Sequence, residues 1–72
     1  MALQLKVNGD DQQLDPAPIP TTLESVIKAL GHNPQVVVAE HNGVIAPRRL
    51  WSTTPVANGD TLEIVTIVGG GS

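Results

Sequence analysis

One stretch of this chain carries the spacing of a buried helix face. Leu23, Val26, Ile27 and Leu30 fall at i, i+3, i+4 and i+7, and Gly31 follows where a left-handed cap would end the helix. Thr21-Thr22-Leu23-Glu24 reads as its capping box, with the Thr21 hydroxyl set for the Glu24 amide and the Glu24 carboxylate reaching back. A helix with a single apolar stripe must bury it against another element. The rest of the chain supplies strands for that purpose.

Leu3, Leu5 and Val7 alternate with Gln4, Lys6 and Asn8, the period-2 pattern of a strand with one buried face. Asn8-Gly9-Asp10-Asp11 supplies a turn, and Gln12-Gln13-Leu14 returns as a short second strand. Three prolines make Asp15-Pro16-Ala17-Pro18-Ile19-Pro20 an extended connector, because they remove amide donors and restrict the residues before them. Beyond the helix, Val36-Val37-Val38-Ala39-Glu40 is a β-branched strand bounded by Asn33-Pro34 and Asn42-Gly43. Val44-Ile45-Ala46 continues as a short strand, and Pro47 opens a single helical turn through Trp51. Leu50 and Trp51 are expected to tuck under the sheet. Thr61 to Val68 is an eight-residue strand of high β-propensity, reached through the turn Thr54 to Asp60. The order is hairpin, helix, then two or three strands, which is an α+β domain with one helix laid across a mixed sheet.

With 72 residues the chain makes one domain, and at this size only about 60% of the extended surface can be buried. An apolar content of 40% is enough for one packed pair of layers and too high for a disordered segment. The net charge is −3 with Lys6, Lys28, Arg48 and Arg49 as the permanent cations, and Trp51 is the sole aromatic. A surface so poor in cations and stacking rings makes nucleic acid an unexpected partner. The absence of cysteine excludes disulfides, iron–sulfur clusters and a thiolate nucleophile. The first residues lack the basic flank and apolar run of a signal peptide, and no stretch approaches the roughly 20 apolar residues of a membrane span. A cytoplasmic location is the expectation.

The feature that bears on chemistry is Val68-Gly69-Gly70-Gly71-Ser72, a glycine run carried on a strand. Such a flexible tail, 69–72, has almost no side chains, can thread a narrow channel, and delivers a carboxylate. A carboxylate is a poor electrophile until it becomes an acyl-adenylate. A carrier that uses one therefore needs ATP and a separate activating enzyme, and sulfide transfer to the adenylate would leave a thiocarboxylate. The same residues also read as a linker fragment joined to an unrelated domain.

The body of the chain discriminates between these readings. It opens with a strand and an Asn-Gly turn and has Thr-Leu at the helix start. Asn42-Gly43 is followed by Ile45, Pro47-Arg48 and Trp51, and Asn58-Gly59-Asp60 precedes the last strand and the glycines. In that order and spacing the chain resembles the ThiS family of thiamin-biosynthesis sulfur carriers. The resemblance implies a β-grasp (ubiquitin-like) domain over 1–68, with a mixed four- to five-stranded sheet and one main helix packed on one face. It implies a protein cosubstrate with no catalytic, metal or cofactor-binding residues of its own and a monomer when free. Its terminal glycine would be adenylated by a ThiF-like enzyme at the expense of ATP. The glycine would then take sulfur from a donor protein and pass it to a ThiG-like thiazole synthase. The family pattern ends in Gly-Gly with a free carboxylate. If Gly70-Gly71 is that pair, Ser72 must be removed first; if Gly69-Gly70 is, two residues must go. The alternatives are the small subunit of molybdopterin synthase, of the related MoaD type, and a ubiquitin-like modifier or interaction module.

The other polar residues read as structural. His32 and His41 lack the spacing of a metal site, Asp10, Asp11 and Asp60 sit in turns, and Arg48-Arg49 read as solvated. Val65 and Ile67 alternate with Ile64 and Thr66, so part of the last strand's apolar content lies on the face away from the helix. Together with Val37 they are the expected protein-binding patch.

Overall fold

The computed structural model describes residues 1–67, so the glycines Gly69, Gly70 and Gly71 lie outside the described residues. Five strands form one sheet in the order β2-β1-β5-β3-β4, with α1 packed on one side. The strands are β1 (Leu3–Val7), β2 (Asp10–Leu14), β3 (Val37–His41), β4 (Val44–Ile45) and β5 (Thr61–Thr66); α1 is Leu23–Ala29. Only β1 and β5 run parallel, and the other neighbours are antiparallel. This is the β-grasp arrangement, a mixed sheet holding one main helix.

The hairpin is tighter than its sequence suggests. Asn8 (φ 51°) and Gly9 (φ 86°) alone make the turn, so β2 begins at Asp10 instead of Gln12. Consecutive positive φ values match the twist of the flanking strands, which lets pairing resume at once as Val7 opposite Asp10. Asn8 also works across the sheet. Its side-chain Nδ2 donates to the Ile64 carbonyl at 3.0 Å and its Oδ1 accepts from the Ile64 amide at 2.7 Å. One side-chain amide thus does for β5 what a further residue of β1 would have done.

The helix starts one residue later than expected. Thr22 is the cap: its Oγ1 accepts from the Ser25 amide at 3.3 Å, and Ser25 Oγ accepts from the Thr22 amide at 3.0 Å. Thr21 cannot serve because it is tied down elsewhere. Its carbonyl accepts from the Val56 amide and its hydroxyl donates to the Pro18 carbonyl. Leu23, Val26 and Ile27 are fully buried and Leu30 packs beside them, as the spacing predicts. They meet Leu3, Leu5, Val7, Val37, Ala39, Leu62 and Ile64 from the sheet, so the core lies wholly on the helix side.

A 3₁₀ segment at Pro34–Val36 leads into β3, which therefore starts at Val37 and extends to His41. A second, Arg48–Thr53, closes the core from the side. Trp51 is 2% exposed and donates from Nε1 to the Ala46 carbonyl at 2.9 Å. Leu50, expected beside it, is instead exposed. At three residues per turn, adjacent side chains point about 120° apart, so only one of the two can face inward. Strand β5 is assigned through Thr66, and the Ile67 amide still bonds the Val36 carbonyl; Val68 is outside the described residues. Among the described residues no helix is long and apolar enough to cross a membrane.

Candidate functional site

The parity of β5 decides which of its residues face the core and which face solvent. Leu62 and Ile64 point into the core, so Glu63 and Val65 stand on the opposite face. Val65 is 59% exposed and Ile67 47% exposed, as expected from their alternation. Val37 is not with them. It is 1% exposed and directed at the helix, because β3 is in phase with β5 and pairs Val37 with Thr66 and Val38 with Val65. The exposed valine of that strand is Val38. An unbroken run of valines has no internal alternation to set its phase, and only the register with β5 fixes it.

Across the same face, Glu40 lies directly opposite Glu63 and beside Ile45 of β4. Val38, Ala39, Glu40, Ile45, Glu63 and Val65 line a shallow depression of about 270 Å³. The other half of the face is polar: Gln4 lies opposite Gln13 and Lys6 opposite Asp11, all exposed. The open side of the sheet is therefore divided, with its apolar half on the strand that leads to the glycines. The reactive positions expected from the sequence, Gly70 and Gly71, lie beyond the described residues.

Arg48 is held in place where a solvated side chain was expected. Its guanidinium donates to the Val37 carbonyl at 2.8 Å and lies 5.5 Å from the Trp51 ring centre. This contact braces the start of β3 beneath the apolar patch. Arg49 shows no such contact and stays exposed.

The side chains of His41 and Asp60 are hydrogen-bonded, with Nε2 and Oδ2 2.7 Å apart. Burial raises the Asp60 carboxyl, but the Ala57 amide and the His41 and Asn42 side chains together outweigh it and leave it below its ordinary value of 3.8. The pair joins the end of β3 to the turn before β5. It is a fastener of the strand pair, consistent with a structural reading of His41. Sequence reading did not pair the two because they lie 19 positions apart and meet only through the sheet topology. Among the described residues no three His, Cys, Asp or Glu side chains converge as metal ligands would.

Comparison with known proteins gives a consistent picture. The profile of the ThiS family matches residues 5–71. The crystal structure of a thiamine biosynthesis protein, ThiS, from Geobacter metallireducens superposes with a TM-score of 0.76 at 29% identity, covering 96% of this chain and all of that one. A thiazole synthase of Paramagnetospirillum magneticum is 33% identical over 97% of this chain, which spans only 21% of that protein's length. A protein of Porphyra purpurea named ycf40 is 30% identical over 96% of this chain and 93% of its own length.

Proposed function

The chain belongs to the ThiS family, and from that premise we propose that it is a cytoplasmic sulfur carrier of thiamin biosynthesis, a protein cosubstrate whose chemistry is done on its own C-terminal glycine. The observation that carries this reading is the run of glycines that follows β5 and the intervening Ile67 and Val68 in the sequence, inside the stretch that the family match covers. We take Gly70-Gly71 as the functional pair, which requires removal of Ser72 alone as the first event.

The reaction then follows from carboxylate chemistry. The terminal carboxylate of Gly71 attacks the α-phosphate of ATP on a ThiF-like activating enzyme and releases pyrophosphate. A sulfide equivalent from a donor protein attacks the carbonyl carbon of the adenylate; the C–S bond forms, the C–O bond to phosphate breaks, and AMP leaves. The thiocarboxylate is presented to a thiazole synthase. Support for that last partner comes from the thiazole synthases of Paramagnetospirillum magneticum and Magnetococcus marinus, each of which contains a stretch similar to nearly all of this chain.

The test is intact-mass measurement after incubation with a ThiF-type enzyme, ATP and a sulfur source, on the full chain and on chains ending at Gly71 and Gly70. Replacement of one oxygen by sulfur on the chain ending at Gly71 is the expected result. Unchanged masses for all three with a competent enzyme would defeat the carrier reading.

A further inference from the structure

Three dipeptides of this chain join an asparagine to a glycine: Asn8-Gly9, Asn42-Gly43 and Asn58-Gly59. The backbone nitrogen that follows an asparagine can attack its side-chain carbonyl carbon, and glycine, having no Cβ, hinders that approach least. The attack requires that the nitrogen be free of a hydrogen-bond acceptor and that the side-chain amide can swing toward it. The fold meets these conditions unequally. Asn8 is held at both ends of its amide, with Nδ2 and Oδ1 bonded to the Ile64 carbonyl and amide at 3.0 and 2.7 Å. At Asn58 both conditions fail: its Oδ1 accepts from the Gln4 amide at 2.6 Å, and the Gly59 nitrogen donates to the Gln4 carbonyl at 2.7 Å. Either site reacts only if its link to the neighbouring strand opens.

Asn42 and Gly43 are exposed and alone make the turn between β3 and β4, across which His41 pairs with Val44. The Gly43 nitrogen has no acceptor among the described residues, and the space where a Cβ would stand is open. One short hydrogen bond holds the side chain, from the Thr61 amide to Asn42 Oδ1 at 2.9 Å. Its Nδ2 has only a long contact, 3.5 Å, to His41 Nε2. The Thr61 donor sits on the oxygen whose carbon is to be attacked, where it favours the negative charge that develops there. Meanwhile the Asn42 backbone amide stays anchored on the Thr61 carbonyl at 2.8 Å, so the side chain can move without the strand pair coming apart.

We propose that Asn42 is a site of covalent self-modification, deamidating through a cyclic imide with Gly43 ahead of the other Asn-Gly pairs. The Gly43 nitrogen attacks Asn42 Cγ; the N–Cγ bond forms, the Cγ–Nδ2 bond breaks, and Nδ2 leaves as ammonia with the proton of the Gly43 amide. Solvent water then opens the imide at either carbonyl and leaves aspartate or isoaspartate. Both products set a new carboxylate beside His41, which already holds Asp60 at 2.7 Å, and like charges so close repel. Isoaspartate also lengthens the backbone path of a turn that has no residue to spare. The damage falls on the corner where β3, β4 and the turn before β5 are fastened together.

The experiment incubates the full chain at pH 8 and 37 °C, folded and in denaturant, and follows the exchange of NH2 for OH by mass after digestion with trypsin. Cleavage after Lys6, Lys28, Arg48 and Arg49 puts Asn8 in peptide 7–28, Asn42 in 29–48 and Asn58 in 50–72. Asn33, also in 29–48, precedes Pro34, which has no amide proton to give up. In denaturant the three peptides are expected to convert at similar rates. In the folded chain 29–48 should convert at least about tenfold faster than the other two, which wait for the sheet to open. The variant Asn42→Gln should lose the change in 29–48. Conversion of 7–28 or 50–72 as fast as 29–48 in the folded chain, or an equal lead of 29–48 in denaturant, would overturn the inference. So would a change in 29–48 that persists in Asn42→Gln.

Discussion

His41 Nε2 lies 2.7 Å from Asp60 Oδ2, and the same carboxylate oxygen accepts the Ala57 amide at 2.8 Å, so one side chain fixes both the turn before β5 and the end of β3. Asp60 has a folded-state pKa below 3.8, which means that its stabilisation is fully present above that value and is lost as pH falls through the lower, folded one. Thermal melts from pH 6 down to pH 2 should show the parent losing an increment of stability at the acid end that Asp60→Ala does not lose. At neutral pH the variant should be less stable by about 1.5–3 kcal/mol, the range for hydrogen bonds to a charged group. Parallel curves for the two proteins across the acid range would show that the pair contributes nothing.

The cap of α1 offers a sharper choice between two adjacent threonines. Thr22 exchanges bonds with Ser25, whereas Glu24 takes no part in the box. Thr22→Ala should cost about 1 kcal/mol in denaturant unfolding and Glu24→Ala close to nothing. A larger cost for Glu24→Ala than for Thr22→Ala would return the box to the position expected from the sequence.

Adjacent residues of β5 should separate folding from recognition. Ile64 is buried and Val65 exposed, so Ile64→Ala is expected to lose about 2–5 kcal/mol of stability, and Val65→Ala well under 1 kcal/mol. Ile67→Glu should keep the fold, read by the fluorescence of Trp51, while weakening binding to the activating enzyme. If Ile67→Glu unfolds the domain, the residue belongs to the core and the open-face reading fails.

Those strands show which parts of the molecule can be read from one sequence. The phases of β1, α1 and β5 were legible because Leu3-Gln4-Leu5-Lys6-Val7, Leu23/Val26/Ile27 and the strand after Asp60 each carry their own period. The phase of β3 was not, because Val36-Val37-Val38 is apolar whichever way it points, and the choice is made by hydrogen bonds to β5. Leu50 and Trp51 were equally apolar on paper, and the 3₁₀ geometry admits one of them. The Glu40–Glu63 and His41–Asp60 relations depend on which strands become neighbours, which no local pattern states. The candidate chemistry rests on the glycines that follow the last strand together with the family resemblance of the rest of the chain, because a glycine run alone reads equally as a linker.

Trp51 fills the gap between the sheet and the second 3₁₀ segment, and its indole N–H satisfies the Ala46 carbonyl just before Pro47. Trp51→Phe should therefore lose about 1–3 kcal/mol, with the unpaired carbonyl as a large part of the cost. Trp51→Ala should lose about 3–5 kcal/mol and leave little folded protein at 37 °C for a domain of this size. Circular dichroism melts of the two variants measure this directly, and a fully stable Trp51→Ala would contradict the placement of the ring in the core.

The side-chain amide of Asn8 ends the two-sided pairing of β5 at Ile64. Even-numbered residues of this strand direct their peptide groups toward β1: Asp60 and Leu62 meet Lys6 and Asn8 backbone amides, and Ile64 meets the Asn8 side chain. Thr66 points the same way, where β1 has already turned back. In hydrogen–deuterium exchange, the amide of Ile64 should therefore be protected to nearly the depth of the global unfolding reaction and that of Thr66 should exchange through local opening. A single asparagine in a hairpin turn thus draws the boundary between the part of β5 that belongs to the cooperative unit and the part that can detach from it, and Asn8→Ala should move that boundary back to Leu62.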